Sequence, residues 1–190
     1  MPCKNCLEKP VINLTNNNIK LCRQHFARYF ERKVLKTIKD YKLIERNDKV
    51  GVAVSGGKDS LSLLSIIKQL KDKIRIFELE AIAIDEGIKG YRDKTLERAK
   101  KFCKDNNIKL HIFSYKEEFG NTLDNFLKKS NMKACSMCGP FRRYLLNKKA
   151  KELGFTKLAT GHNLDDESQT IIMNYFRRNL ETSARLGPIT

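Results

Sequence analysis

At 190 residues the chain is long enough for one substantial core and a small appendage. Its 41% hydrophobic content is ordinary for a folded protein, no run reaches the ~20 apolar residues of a membrane span, and the start Met-Pro-Cys-Lys-Asn-Cys has no apolar signal core, so a cytoplasmic protein is expected. A net charge of +16, from 38 Lys and Arg against 22 Asp and Glu, favours polyanionic partners, although lysines such as Lys68, Lys71 and Lys73 read as a solvated surface.

Residues 1–26 read as a separate small module with the polar run Thr15-Asn16-Asn17-Asn18 in its middle. Such a segment cannot build much apolar core and needs a staple. Cys3-x-x-Cys6 and Cys22-x-x-His25, joined by 15 residues, have the spacing of a closed structural zinc site. Residues 27–46 read as a linking helix, with Phe30, Val34, Ile38 and Tyr41 near the helical period. From 47 onward strands and helices alternate. Strands are predicted at Val50–Val54, Phe77–Ile84, Leu110–Phe113 and Lys157–Thr160. Helices are predicted at Lys58–Leu70, Arg92–Cys103, Leu123–Lys129, about Phe141–Glu152 and Asp165–Phe176. This alternation implies an α/β, doubly wound, mostly parallel sheet, with ligands beyond the C-terminal strand ends.

Ser55-Gly56-Gly57-Lys58-Asp59-Ser60 follows the first of these strands and opens a helix. Two glycines permit a tight turn and close approach, and a helix start offers N–H groups and a positive dipole end, so the segment reads as a phosphate cradle. It departs from G-x-x-x-x-G-K-[ST], because Val52 stands at the first glycine and Asp59 at the hydroxyl. An acid inside such a cradle suggests a metal, Mg²⁺, between it and phosphate. The same residues could also form no more than a tight strand-to-helix turn capped by Ser55. The end of the next strand, Ile84-Asp85, is expected near an adenosine or its metal. Gly161-His162-Asn163-Leu164-Asp165-Asp166-Glu167 crowds acids at a helix start, where one would suffice for capping, which singles out Gly161 and Asp166.

Cys135-Ser136-Met137-Cys138 has no second pair nearby and precedes Phe141-Arg142-Arg143. Thiolates beside arginines at a helix start are acidified. The residues alone leave an iron–sulfur cluster, a redox or persulfide pair, and half a zinc site open, against inert thiols. Cys103 reads as core.

Taken in order, the zinc module, Ser55–Ser60, Asp85–Arg92, Cys135–Gly139 and Ala159–Glu167 resemble the tRNA 2-thiouridine synthetases of the archaeal and eukaryotic cytosolic type, within the PP-loop ATP pyrophosphatases (adenine nucleotide alpha-hydrolase-like fold). That resemblance implies ATP-dependent adenylation of the C2 oxygen of a tRNA uridine, followed by sulfur insertion. It implies catalytic roles for Ser55, Asp59, Arg142 and Asp166. ATP would contact Ala53, Val54, Ser55, Gly56, Gly57, Lys58, Asp59, Ser60, Ile84, Arg142, Gly161 and Asp166. Zinc would bind Cys3, Cys6, Cys22 and His25, and Cys135 and Cys138 would supply two of three ligands to a [4Fe-4S] cluster. The implied partners are tRNA, a sulfur donor (a thiocarboxylated ubiquitin-like protein or sulfide), and a second copy in a homodimer, with no membrane. The sequence has no cysteine after Cys138, so a chain shortened at its C-terminus is expected, or a third ligand from a partner or Cys103. Two alternatives are another adenylating enzyme of the superfamily, such as a tRNA-lysidine or amide-forming synthetase, and a non-catalytic zinc-containing RNA-binding protein.

Overall fold

The computed structural model describes residues 2–129, 134–178 and 181, with the side chains of 129 and 134–136 set aside. The chain forms two compact units, residues 1–43 and 44–190.

The first unit holds an antiparallel hairpin, β1 (Ile12–Leu14) paired with β2 (Ile19–Leu21), and the helix α1 (Arg23–Asp40). The polar run is the hairpin loop. Asn18 takes φ 50° there, a conformation asparagine tolerates, and accepts a hydrogen bond from Asn13 Nδ2 at 3.0 Å. The hairpin was not foreseen. Its strands have three residues each, too few for an alternating pattern to register. Helix α1 also starts earlier than predicted, so that His25 lies in its first turn.

The second unit is a four-stranded parallel sheet made of β3 (Lys49–Ala53), β4 (Glu78–Asp85), β5 (Lys109–Ser114) and β6 (Lys157–Ala159), in the order β5-β4-β3-β6. Helices α2 (Lys58–Ile74) and α3 (Arg92–Asp105) form the first two crossovers; α4 (Tyr115–Phe119), α5 (Leu123–Lys129) and α6 (Ala134–Glu152) lie between β5 and β6; α7 (Leu164–Phe176) follows. Side chains alternate across β4. Leu79, Ala81 and Ala83 join Val50, Val52 and Val54 against Leu64 and Ile67 of α2 and Leu96, Ala99 and Cys103 of α3. Ile84 belongs to a second cluster with Tyr115, Leu123 and Leu145. The expected doubly wound sheet is therefore present. Its strand order reverses between β3 and β6, and the crevice there is where such sheets take ligands.

Two elements differ from expectation. Helix α6 begins at Ala134 and runs through Pro140, so the Cys135–Cys138 pair lies inside its first turns instead of ahead of it. Short α4 was missed; its capping box, Ser114 with Glu117, is confined to five residues. No helix among the described residues is long and apolar enough to cross a membrane.

Candidate functional site

The segment 55–60 turns from β3 into α2 and is tied to itself by hydroxyls. Ser55 Oγ and Ser60 Oγ lie 3.1 Å apart, Ser60 Oγ accepts from Ser55 N–H at 3.2 Å, and Ser55 Oγ accepts from Gly57 N–H at 3.3 Å. Gly56 has φ +80°, and a Cβ there would stand 1.9 Å from the carbonyl oxygen of Thr95. The loop therefore rests on the first turn of α3, and only glycine fits. Ser55, Lys58 and Asp59 are exposed, whereas Ser60 is buried. Ala53 and Val54 lead into the loop, with the Val54 N–H donating to the Ile82 carbonyl at 2.8 Å.

Gly161 brings the second loop of the crevice into place. A Cβ there would be 2.9 Å from both Cα and N of Ser60, so the backbone after β6 lies directly on the start of α2. Asn163 and Asp166 form a capping box. Asn163 Oδ1 accepts from the Asp165 and Asp166 N–H groups at 2.9 and 3.1 Å, and Asp166 Oδ2 accepts from Asn163 N–H at 2.9 Å. Asp166 is thus fixed in orientation at an exposed helix start, while Asp165 and Glu167 add charge.

Two buried residues of the Asp85–Arg92 stretch, neither of which the sequence assigned a role of its own, join the remaining pieces. Arg92, 4% exposed, donates from Nη1 to the Ser55 carbonyl at 2.7 Å and from Nη2 to the Ile84 carbonyl. Its Nε lies 2.9 Å from Glu86 Oε2, and Glu86 is 3% exposed. The other oxygen, Glu86 Oε1, is 3.4 Å from Nη1 of Arg142 on α6. Ser55, Ile84, Glu86, Arg92 and Arg142 therefore form one connected group at the C-terminal ends of β3 and β4. The Ile84 carbonyl is already engaged by Arg92, and Asp85 Oδ1 accepts from Gly87 N–H at 2.9 Å. The signal that existed was the Asp85–Arg92 pattern after the end of β4, which marks the stretch without saying that Glu86 and Arg92 are buried partners.

Helix α6 also carries Cys138. Its carbonyl accepts from the Tyr115 hydroxyl at 3.0 Å, and burial pushes that phenol well above its ordinary range. The Cys135 side chain lies outside the described residues. Cys103 sits at the far end of α3, where its carbonyl accepts from Ile108 N–H just before β5 begins. That is the opposite end of a parallel sheet from Glu86 and Arg142. Burial pushes the Cys103 thiol up to about 11, so it is a core residue and cannot complete a site with Cys138.

In the first unit Cys3, Cys6, Cys22 and His25 converge, one ligand atom from each lying within 4.8 Å of all the others. Cys6 Sγ and Cys22 Sγ are 3.7 Å apart, and His25 Nδ1 lies 3.5, 3.5 and 3.2 Å from the sulfurs of Cys3, Cys6 and Cys22. Zinc bonds of about 2.3 Å to sulfur and 2.0–2.1 Å to nitrogen at tetrahedral angles require separations of about 3.8 and 3.5 Å. The donor set fits such an ion. Burial opposes ionisation of Cys3, but backbone hydrogen bonds from Cys22 and Asn5 bring its thiol down to about 6; at Cys22 a backbone hydrogen bond from His25 is outweighed by burial and by side-chain hydrogen bonds with Glu8, Cys6 and Cys3, which push that thiol up to about 11.

The PP-loop domain family model matches residues 26–186. The chain is 41% identical to the tRNA-5-methyluridine(54) 2-sulfurtransferase of Pyrococcus horikoshii, over 100% of this chain and 59% of that protein. It is 37% identical to the tRNA 2-thiolation protein NcsA of Haloferax volcanii, over 97% of this chain and 60% of that protein. The solved U34-tRNA thiolase NcsA of Methanococcus maripaludis, with its [4Fe-4S] cluster, superposes with a TM-score of 0.84 at 34% identity, covering 96% of this chain and 60% of that one. The chain thus spans little more than half the length of the relatives it matches. Strand–SGGKDS–helix at the sheet's switch point, with the family match over most of the length, settles the family: the chain belongs to the PP-loop domain family, beside proteins named for tRNA thiolation.

Proposed function

We propose that this chain carries the ATP-using part of a tRNA-uridine 2-sulfurtransferase. The observation that carries the reading is the double glycine lock, Gly56 on Thr95 and Gly161 on Ser60, which supports reading the β3/β6 crevice as an anion cradle. The amides at the start of α2 and the Ser55 and Ser60 hydroxyls would hold ATP phosphates. Lys58 and Arg142 would balance their charge, and Asp59 and Asp166 would orient Mg²⁺, which would supply further charge neutralisation when bound. The C2 oxygen of a tRNA uridine would attack the α-phosphorus and release pyrophosphate. Sulfide, either free or released from a thiocarboxylate as water cleaves its C–S bond and leaves the carboxylate, would then add at C2 and expel AMP. The +16 net charge suits a tRNA substrate.

Zinc at Cys3, Cys6, Cys22 and His25 would be structural. Cys135 and Cys138 are proposed as two ligands of an iron–sulfur cluster like the one its structural relative carries. Dimerisation and a cytoplasmic location are proposed on the resemblance to the tRNA 2-thiouridine synthetases. The test is product analysis with ATP, unmodified tRNA and sulfide. AMP and pyrophosphate in equal amounts, lost in Asp59→Ala, support the reading. ADP and phosphate, or tRNA binding without nucleotide turnover, would favour a different phosphotransferase or a plain RNA binder.

A further inference from the structure

We infer that Arg92 is the positioning residue of the phosphate loop, and that Glu86 couples it to Arg142; this rests on reading 55–60 as a nucleotide-phosphate site. Arg92 does not touch the ligand side of the loop. It reaches the loop from beneath, through the Ser55 carbonyl at 2.7 Å. In a trans peptide the C=O and the following N–H point in opposite directions. Holding the Ser55 carbonyl toward Arg92 therefore turns the Gly56 N–H away from it, toward the open side of the loop. The same guanidinium holds the Ile84 carbonyl, so the ends of β3 and β4 are set relative to each other by one planar fork. Lysine has the charge but not the fork, and cannot serve both carbonyls and Glu86 together.

Placement argues against a purely structural role. Burying a guanidinium and a carboxylate is costly, and apolar residues of similar size would stabilise a fold equally well. This pair, 4% and 3% exposed, lies at the ligand-binding edge of the sheet instead of in its centre. Thr95 adds to the arrangement: its carbonyl lies where a Cβ on Gly56 would go, and its hydroxyl accepts from Arg92 Nη1 at 3.3 Å. Glu86 divides its oxygens. One pairs with Arg92 at 2.9 Å, and the other meets Arg142 at 3.4 Å, a long contact to a side chain that is 47% exposed. Arg142 is thus held beside the crevice by a bond weak enough to give up to a phosphate.

The experiment compares the wild-type chain, metal-loaded as purified, with Arg92→Lys and Glu86→Gln. Hydrogen exchange is read without nucleotide, and Mg·ATP is then titrated by calorimetry. Arg92→Lys is expected to speed exchange in 55–60 by about tenfold while 79–83 of β4 keeps its rate, and to weaken ATP by about tenfold. Glu86→Gln, which keeps the shape and loses the charge, is expected to show about a third of that effect on exchange. Unchanged loop exchange in either variant overturns the inference, as does equal acceleration of loop and strand. Should Arg92→Lys not fold, Glu86→Gln alone decides by the same readout. If the wild type takes up no ATP but the loop still loosens selectively, the positioning role stands and the nucleotide reading falls.

Discussion

The two units reach order by different routes. Among the described residues, 1–43 bury a cluster of three, Cys3, Leu21 and Cys22, two of them metal-ligand candidates. In 44–190 one cluster alone buries thirteen, from Val50 to Ile108. Full burial of a Leu or Ile side chain is worth about 1.5–3 kcal/mol, so the larger unit has an apolar reserve that the smaller lacks. The small unit puts its polar chemistry at its centre. The large unit keeps its centre apolar and places its chemistry at one edge of a sheet.

Removing the staple should expose that difference most sharply. With Cys22→Ser, or a strong chelator, the β1–β2 hairpin should lose hydrogen-exchange protection altogether, while β3 and β4 keep theirs. Retained protection with no metal bound would mean that the small cluster suffices. The converse change is Leu64→Ala in the fully buried interior of the large unit. It should cost about 2–5 kcal/mol in denaturant unfolding and leave the metal content unchanged.

The large unit also tolerates some charge, away from the site edge. Glu80 is raised by burial, but its 2.5 Å hydrogen bond with His111 and the nearby Lys49 and Lys109 win, so its carboxyl titrates below the ordinary value. A depressed folded-state pKa gives stability that is present above the unfolded carboxylate value of about 4.3 and is lost as pH falls through the folded value. Glu80→Gln should therefore destabilise by about 1–3 kcal/mol at neutral pH, with the gap to wild type closing in acid. A pH-independent gap would assign the loss to packing. Gly161→Ala tests the edge itself. It should raise the ATP dissociation constant by about tenfold, near 1.4 kcal/mol, because the start of α2 must move. Smallest is Lys68→Ala: the exposed Lys68–Asp72 pair should be worth no more than about 0.5 kcal/mol, so a larger effect on unfolding would point to a role for the helix surface.

Strand-to-helix alternation and the loop 55–60 were legible because both are local. A short apolar run, two glycines and a helical period sit next to one another in sequence. The Cys3–His25 set was legible because metal geometry imposes a spacing. Helix α6 was placed too late because Gly139-Pro140 reads as a break, whereas Phe141 and Leu145 pack against the Tyr115 cluster and carry the helix through. The role of Arg92 was not legible for a different reason. The sequence marks it as the last residue of Asp85–Arg92, but its contacts arise only when β3, β4 and α3 are assembled.

The central claim is that the crevice between β3 and β6 holds the phosphates of ATP. The most direct measurement is calorimetric titration of Mg·ATP into the metal-loaded chain, with Asp59→Ala alongside. Saturable one-to-one binding that Asp59→Ala weakens by about tenfold or more is the predicted result. No binding by the wild type, or equal binding by both proteins, would contradict it.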